Sequence, residues 1–102
     1  MRPVVWSRKA QADLREAVVY ISADNPFAAR RVADRIKQAV SGLADRPTGL
    51  RSRVAEVFEK PVRGTSYILA YDVRVGGDGR ETIYILRVIH GARDWPDGEW
   101  PE

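Results

Sequence analysis

Cysteine is absent from the 102 residues, which excludes a disulfide framework, a thiolate metal site and a thiol nucleophile. Histidine occurs once, at His90, leaving zinc short of the nitrogen ligands it needs, so neither a metal nor another cofactor is expected. No apolar run approaches the length of a membrane span, and Met1-Arg2-Pro3-Val4-Val5-Trp6 is too short an apolar start for a signal peptide. A cytoplasmic protein is therefore expected. Lysine is scarce, confined to Lys9, Lys37 and Lys60, and the remaining positive charge is arginine, which favours planar, bidentate contacts over diffuse attraction. The net charge of +3 permits an anionic partner without demanding one, and no concentrated basic stripe marks a plain nucleic-acid-binding domain. Internal repeats, low-complexity tracts and linkers are missing too, so residues 1–102 read as one domain.

What is present is a clear order of elements. Pro3 to Trp6 is a short apolar strand that hands over at Ser7, a helix N-cap. Ala10, Leu14, Ala17, Val18 and Ile21 then recur at helical spacing as far as Ser22, with Arg8, Lys9, Asp13, Arg15 and Glu16 distributed over the other faces. Asn25 and Pro26 restart the chain as N-cap and first helical residue. Ala29, Val32, Ala33, Ile36, Val40 and Leu43 form the second helical stripe, which Pro47 and Gly49 end. So short a connection makes the two helices an antiparallel hairpin.

Beyond it the period changes to two. Arg53–Glu59, Ser66–Val75 and Thr82–His90 read as antiparallel strands, separated by Lys60–Gly64 and by the glycine-rich turn Gly76–Gly79. Tyr67, Leu69, Tyr71 and Val73 share one face of the middle strand. In the last strand alternation sets Tyr84, Leu86, Val88 and His90 against Ile83, Ile85, Arg87 and Ile89. Both faces of this strand are apolar, which makes it interior, and Arg87 must then point into a groove or pair with a carboxylate. The reading is an α+β fold of order β-α-α-β-β-β, its helical hairpin packed on one face of an antiparallel sheet and the opposite face partly open for binding. An irregular tail follows from about residue 94.

Chemistry concentrates where the last strand ends, in Leu86-Arg87-Val88-Ile89-His90-Gly91-Ala92-Arg93-Asp94-Trp95. Together with Trp6-Ser7, Ala10 and Asp13-Leu14, with Asn25-Pro26 and Ala28-Ala29, with Leu43, Pro47, Gly49 and Arg53, and with Tyr67-Ile68-Leu69-Ala70-Tyr71, this stretch resembles the RelE/ParE superfamily of type II toxin-antitoxin toxins, nearer its ParE-like branch. The resemblance spans nearly the whole chain. It implies a toxin neutralised by a cognate, ParD-like antitoxin, in a toxin-antitoxin hetero-oligomer. It implies one of two targets, DNA gyrase for ParE-like members or messenger RNA in the ribosomal A site for RelE-like members, and the shared fold does not choose between them. The chain departs from the pattern of many relatives at Gly49-Leu50-Arg51-Ser52-Arg53, where they carry Gly-Arg-x-Gly-Arg, and at Phe58 before Glu59, where they carry arginine.

A metal-free ribonuclease needs a general acid and base with cations at the phosphate. His90 is the candidate catalytic residue on that reading, with Arg51, Arg53, Arg87 and Arg93 as anion clamps and Glu59 or Tyr71 assisting. Alternatively His90 closes a strand end and its neighbours form a salt-bridge network. The loss of arginine at Phe58 tilts the expectation towards gyrase inhibition by binding, with no catalysis of the chain's own. Target or anion contacts are expected from Arg51, Arg53, Arg87, Arg93 and Trp95, and antitoxin contacts from Leu14, Val18, Ile21 and Tyr71. Arg30, Arg31, Arg35 and Lys37 share the second helix with Asp34 and read as a solvated mixed-charge face.

Overall fold

A computed structural model describes residues 1–47, 56–91 and the backbone of 50–51. Strand β1 (Val4–Trp6) leads into helix α1 (Arg8–Ser22) and helix α2 (Pro26–Asp45), followed by β2 (Leu50–Arg51), β3 (Phe58–Pro61), β4 (Tyr67–Val75) and β5 (Glu81–His90). Both expected caps form. The Ser7 hydroxyl accepts the Ala10 amide at 2.9 Å, and Asn25 Oδ1 accepts the Ala28 amide at 3.1 Å, each satisfying a first-turn donor that the helix itself leaves unpaired.

The strands form one sheet in the order β1-β5-β4-β3-β2. The α+β class and the helical hairpin stand as read from the sequence, but the sheet is mixed: β1 runs parallel to β5, pairing Val4, Val5 and Trp6 with Ile83, Tyr84 and Ile85. A parallel pair needs a long connection, and the chain between β1 and β5 runs through both helices to the far edge of the sheet and back through β2, β3 and β4. The second expected strand, Arg53–Glu59, lies later than its sequence pattern indicated. Phe58–Pro61 pairs with Ile68–Tyr71, so Lys60 and Pro61 belong to the strand and not to the turn, while residues 52–55 lie outside the described residues. Pro61 is tolerated because β2 reaches only Phe58 and Glu59, leaving its missing N–H without a neighbouring strand to serve.

One irregularity decides which residues face the helices. Between β4 and β5 the register passes from Ala70↔Arg87 to Tyr71↔Ile85, making Leu86 the extra residue of a bulge. Strict alternation therefore fails: Ile83, Ile85, Val88 and His90 share a face opposite Val73, Tyr71, Leu69 and Tyr67, whereas the sequence pattern had split them. Ile83 and Ile85 are fully buried with Leu69 and Tyr71 beneath Ile36 and Leu43 of α2. This core supplies most of the stabilisation available to so small a protein. The far face is less open than expected, since Ala70 and Ile89 are buried there as well.

Candidate functional site

The site grows from the point where β1 stops. Up to Ile85 the edge of β5 is paired by β1 backbone, and beyond it the chain of β1 has become α1. Side chains then take the place of a strand. The Ser7 hydroxyl donates to the Leu86 carbonyl at 2.7 Å, and Asp13 Oδ2 accepts the Val88 N–H at 2.9 Å. Asp13 also receives the Arg87 guanidinium through two bonds, Nε at 2.6 Å and Nη2 at 2.9 Å. With side chains only 14% and 12% exposed, Arg87 and Asp13 form a largely desolvated bidentate pair that ties α1 to the second half of β5.

Because a helix is wider than a strand, this edge is bridged and not filled. A groove of about 610 Å³ remains between α1 and the ends of β4 and β5. From α1 it receives Asp13, Glu16, Ala17 and Tyr20; from the sheet, Tyr67, Val88 and His90. Ala17 is small and buried, so the groove stays open, while Tyr20 stands 79% exposed at its rim. His90 meets Tyr67 edge to face, ring centres 5.2 Å apart. Burial, and secondarily the nearby Tyr20, raise the pKa of Tyr67 above the usual tyrosine value, so its hydroxyl keeps its proton at neutral pH. Gly91, directly after His90, donates its N–H to the Ser66 carbonyl, and a Cβ there would lie 2.8 Å from that oxygen. Only glycine lets the strand end close this tightly.

Of the site residues expected from the sequence, His90 lines the groove and Arg87 lies behind it on the Asp13 carboxylate. Tyr71, expected among the antitoxin contacts, is placed differently from the other three. At 1% exposure it lies in the core, stacked on Phe58 at 5.6 Å between ring centres. Burial raises its pKa as well. Phe58 is accordingly a packing residue. Leu14, Val18 and Ile21 are half-buried on α1, and Leu14 packs against the core. Arg51 contributes its backbone to β2, and Arg53, Arg93 and Trp95 lie outside the described residues. Asp13, Glu16 and Tyr20 were missed as site residues, although their spacings of three and four place them along one helix flank, a signal masked by the charge scattered around α1. Among the described residues no group of three His, Asp or Glu side chains is arranged to hold a metal, and no helix is long and apolar enough to cross a membrane.

A helical hairpin packed on a small mixed sheet is the architecture of the ParE/RelE toxins. A model of the ParE toxin of type II toxin-antitoxin systems matches residues 4–95, and the chain belongs to that family. It is 36% identical over 92 residues to toxin Y4kP of Sinorhizobium fredii, covering 89% of this chain and 90% of that protein. With toxin RelE2 of Caulobacter vibrioides it shares 37% identity over 93 residues, covering 91% and 99% of the two chains. Among solved structures it resembles a chain of the chromosomal ParDE toxin-antitoxin system from P. aeruginosa, with TM-score 0.70, 28% identity and coverage of 88% and 96%. A chain of the RelBE2 toxin-antitoxin complex from Mycobacterium tuberculosis aligns with TM-score 0.54, 28% identity and coverage of 87% and 96%.

Proposed function

We propose that this toxin arrests growth by binding DNA gyrase, without covalent catalysis of its own, and that a ParD-like antitoxin neutralises it by occupying the groove between α1 and β5. The observation that carries the reading is the charge of the groove. Its lining contains the carboxylates of Asp13 and Glu16 and, among the described residues, no lysine or arginine. Arg87, one of the two arginines that stand three residues from His90, is engaged by Asp13. A phosphodiester entering here would face carboxylates where an RNA-cleaving site needs cations to hold charge in the transition state. The apolar and aromatic surface of Ala17, Tyr20, Tyr67 and Val88 suits a protein segment better. The cytoplasm, where gyrase works, is the corresponding location, and Arg93 and Trp95 are retained as target contacts in the proposal.

The test is a pair of assays on the purified chain. Inhibition of gyrase supercoiling, with ribosome-bound messages left intact, is the expected result. Messenger cleavage in the A site, abolished by His90→Gln, would assign the chain to the RelE-type endonucleases instead, the reading that the position of His90 in the groove favours.

A further inference from the structure

The groove has a more specific chemistry than its apolar surface alone conveys. Asp13 is already committed, to Arg87 and to the Val88 N–H, and its charge is matched within the fold. Glu16, one turn further along α1, is exposed and has no such partner in sequence-local reach: Lys9 and Arg8 are two turns back, and Ala12, Asp13, Val19 and Tyr20 occupy the positions three and four residues away. Around it stand three rings, Tyr20 from α1, Tyr67 from β4 and His90 from β5, the last two already set edge to face. A carboxylate beside aromatic rings is the combination that receives an organic cation, by charge on one side and by ring faces on the other. The local sign is opposite to that of the whole chain, which carries +3. Attraction to a cation here therefore comes from the groove and not from net charge.

We propose that the groove is an arginine receptor: Glu16, Tyr20 and Tyr67 take one arginine side chain from the antitoxin segment that covers α1 and β5. Arginine fits better than lysine because its planar guanidinium can lie against a tyrosine ring while two of its N–H groups reach one carboxylate. The aliphatic stem of the same side chain would cover Ala17 and Val88. This rests on the reading of the groove as the antitoxin's seat, and it names the feature by which a cognate segment is told from others: a basic residue within an otherwise apolar segment.

The experiment has two arms, so that the receptor and the reading beneath it fail separately. In the first, N-acetyl-arginine methylamide is titrated into the purified full-length chain while the ring resonances of Tyr20, Tyr67 and His90 are followed by NMR. Saturable shifts are expected with the arginine derivative, not with its neutral citrulline counterpart, and they are lost in Glu16→Gln and in Tyr20→Ala. Both residues are exposed, so both variants keep the fold, which an unchanged amide spectrum elsewhere verifies. Equal shifts from the citrulline derivative, or shifts that survive Glu16→Gln, overturn the receptor. In the second arm, the affinity of the antitoxin encoded beside the gene is measured for wild type and Glu16→Gln, with a loss of about tenfold or more expected for the variant from the removal of a charge-assisted contact. Unchanged affinity overturns the receptor while leaving the antitoxin reading intact. Failure of the wild type to bind the antitoxin refutes that reading, and the first arm still decides whether the groove takes a guanidinium.

Discussion

The two halves of β5 share one strand and differ in what completes their edge. From Glu81 to Ile85 the neighbour is β1 backbone, whose pairing is indifferent to side-chain identity, and the side chains beneath it, Ile83 and Ile85, are sealed in the core. From Leu86 to His90 the neighbour is a helix, the edge is closed by the Ser7 hydroxyl and the Asp13 carboxylate, and a groove opens beside it. Backbone pairing yields stability that many sequences can supply. Pairing by side chains makes the closure dependent on particular residues and leaves space that a partner can enter. The Leu86 bulge is the joint between these regimes, turning Val88 and His90 to the face that Ile83 and Ile85 occupy.

That contrast can be broken at either end. Ile85→Ala strikes the half completed by backbone, and loss of a fully buried branched side chain is expected to cost about 2–5 kcal/mol, measured by urea denaturation, with global loss of structure before any selective effect on the groove. Asp13→Ala strikes the other half. It removes the bidentate acceptor of a largely buried guanidinium and the acceptor of the Val88 amide, for an expected cost of about 2–3 kcal/mol. Its signature is local: amide exchange at Val88 accelerates well beyond that at Ile83. A uniform acceleration along β5 would show that the two halves are not distinct.

Smaller effects sharpen the same boundary. Ser7→Ala removes both the cap of α1 and the donor to Leu86, and should cost about 1–2 kcal/mol in thermal or chemical unfolding. Gly91→Ala places a methyl against the Ser66 carbonyl; the expected cost of roughly 1 kcal/mol is accompanied by displacement of the His90 ring from Tyr67, visible as a change in ring-current shift. The least effect is that of alkaline pH. Tyr67 and Tyr71 both have raised folded-state pKa values, chiefly through burial, so the unfolded chain releases these protons first. Their contribution is complete below pH 10, the unfolded tyrosine value, and declines as the pH rises from there through the folded values. Denaturation midpoints should therefore fall only above that pH, and replacing Tyr67 with Phe should reduce the slope.

Much of this architecture was legible in the sequence because it is local. Ser7 and Asn25-Pro26 announce helix starts through capping chemistry that needs no tertiary context, and both caps are in place. The Gly76–Gly79 turn is likewise written in residue types, with Gly79 at φ +82° and Asp78 accepting the Arg80 amide. The expectation that Arg87 must find a groove or a carboxylate followed from its place in an apolar strand, and the carboxylate is Asp13. What could not be read was anything set by register. A single extra residue at Leu86 reverses the facing of the strand beyond it, and no composition rule marks it. Asp13 looked like one more charge on a solvated helix because its partners lie 74 and 75 residues away. Tyr71 looked available for the mirror-image reason: alternation gives its face, but only packing shows that Phe58 and the helices cover it.

The central claim is that this toxin works by occupying a target and not by cleaving one, and the sole histidine is where the two accounts diverge. The most direct measurement is growth arrest by wild type and His90→Gln expressed to equal soluble levels without antitoxin, with the fold of the variant verified by circular dichroism. The account predicts that His90→Gln remains toxic within a few-fold of wild type, with DNA-damage signalling and intact messages in both. Abolished toxicity in the folded variant, together with the disappearance of A-site cleavage fragments, would contradict it.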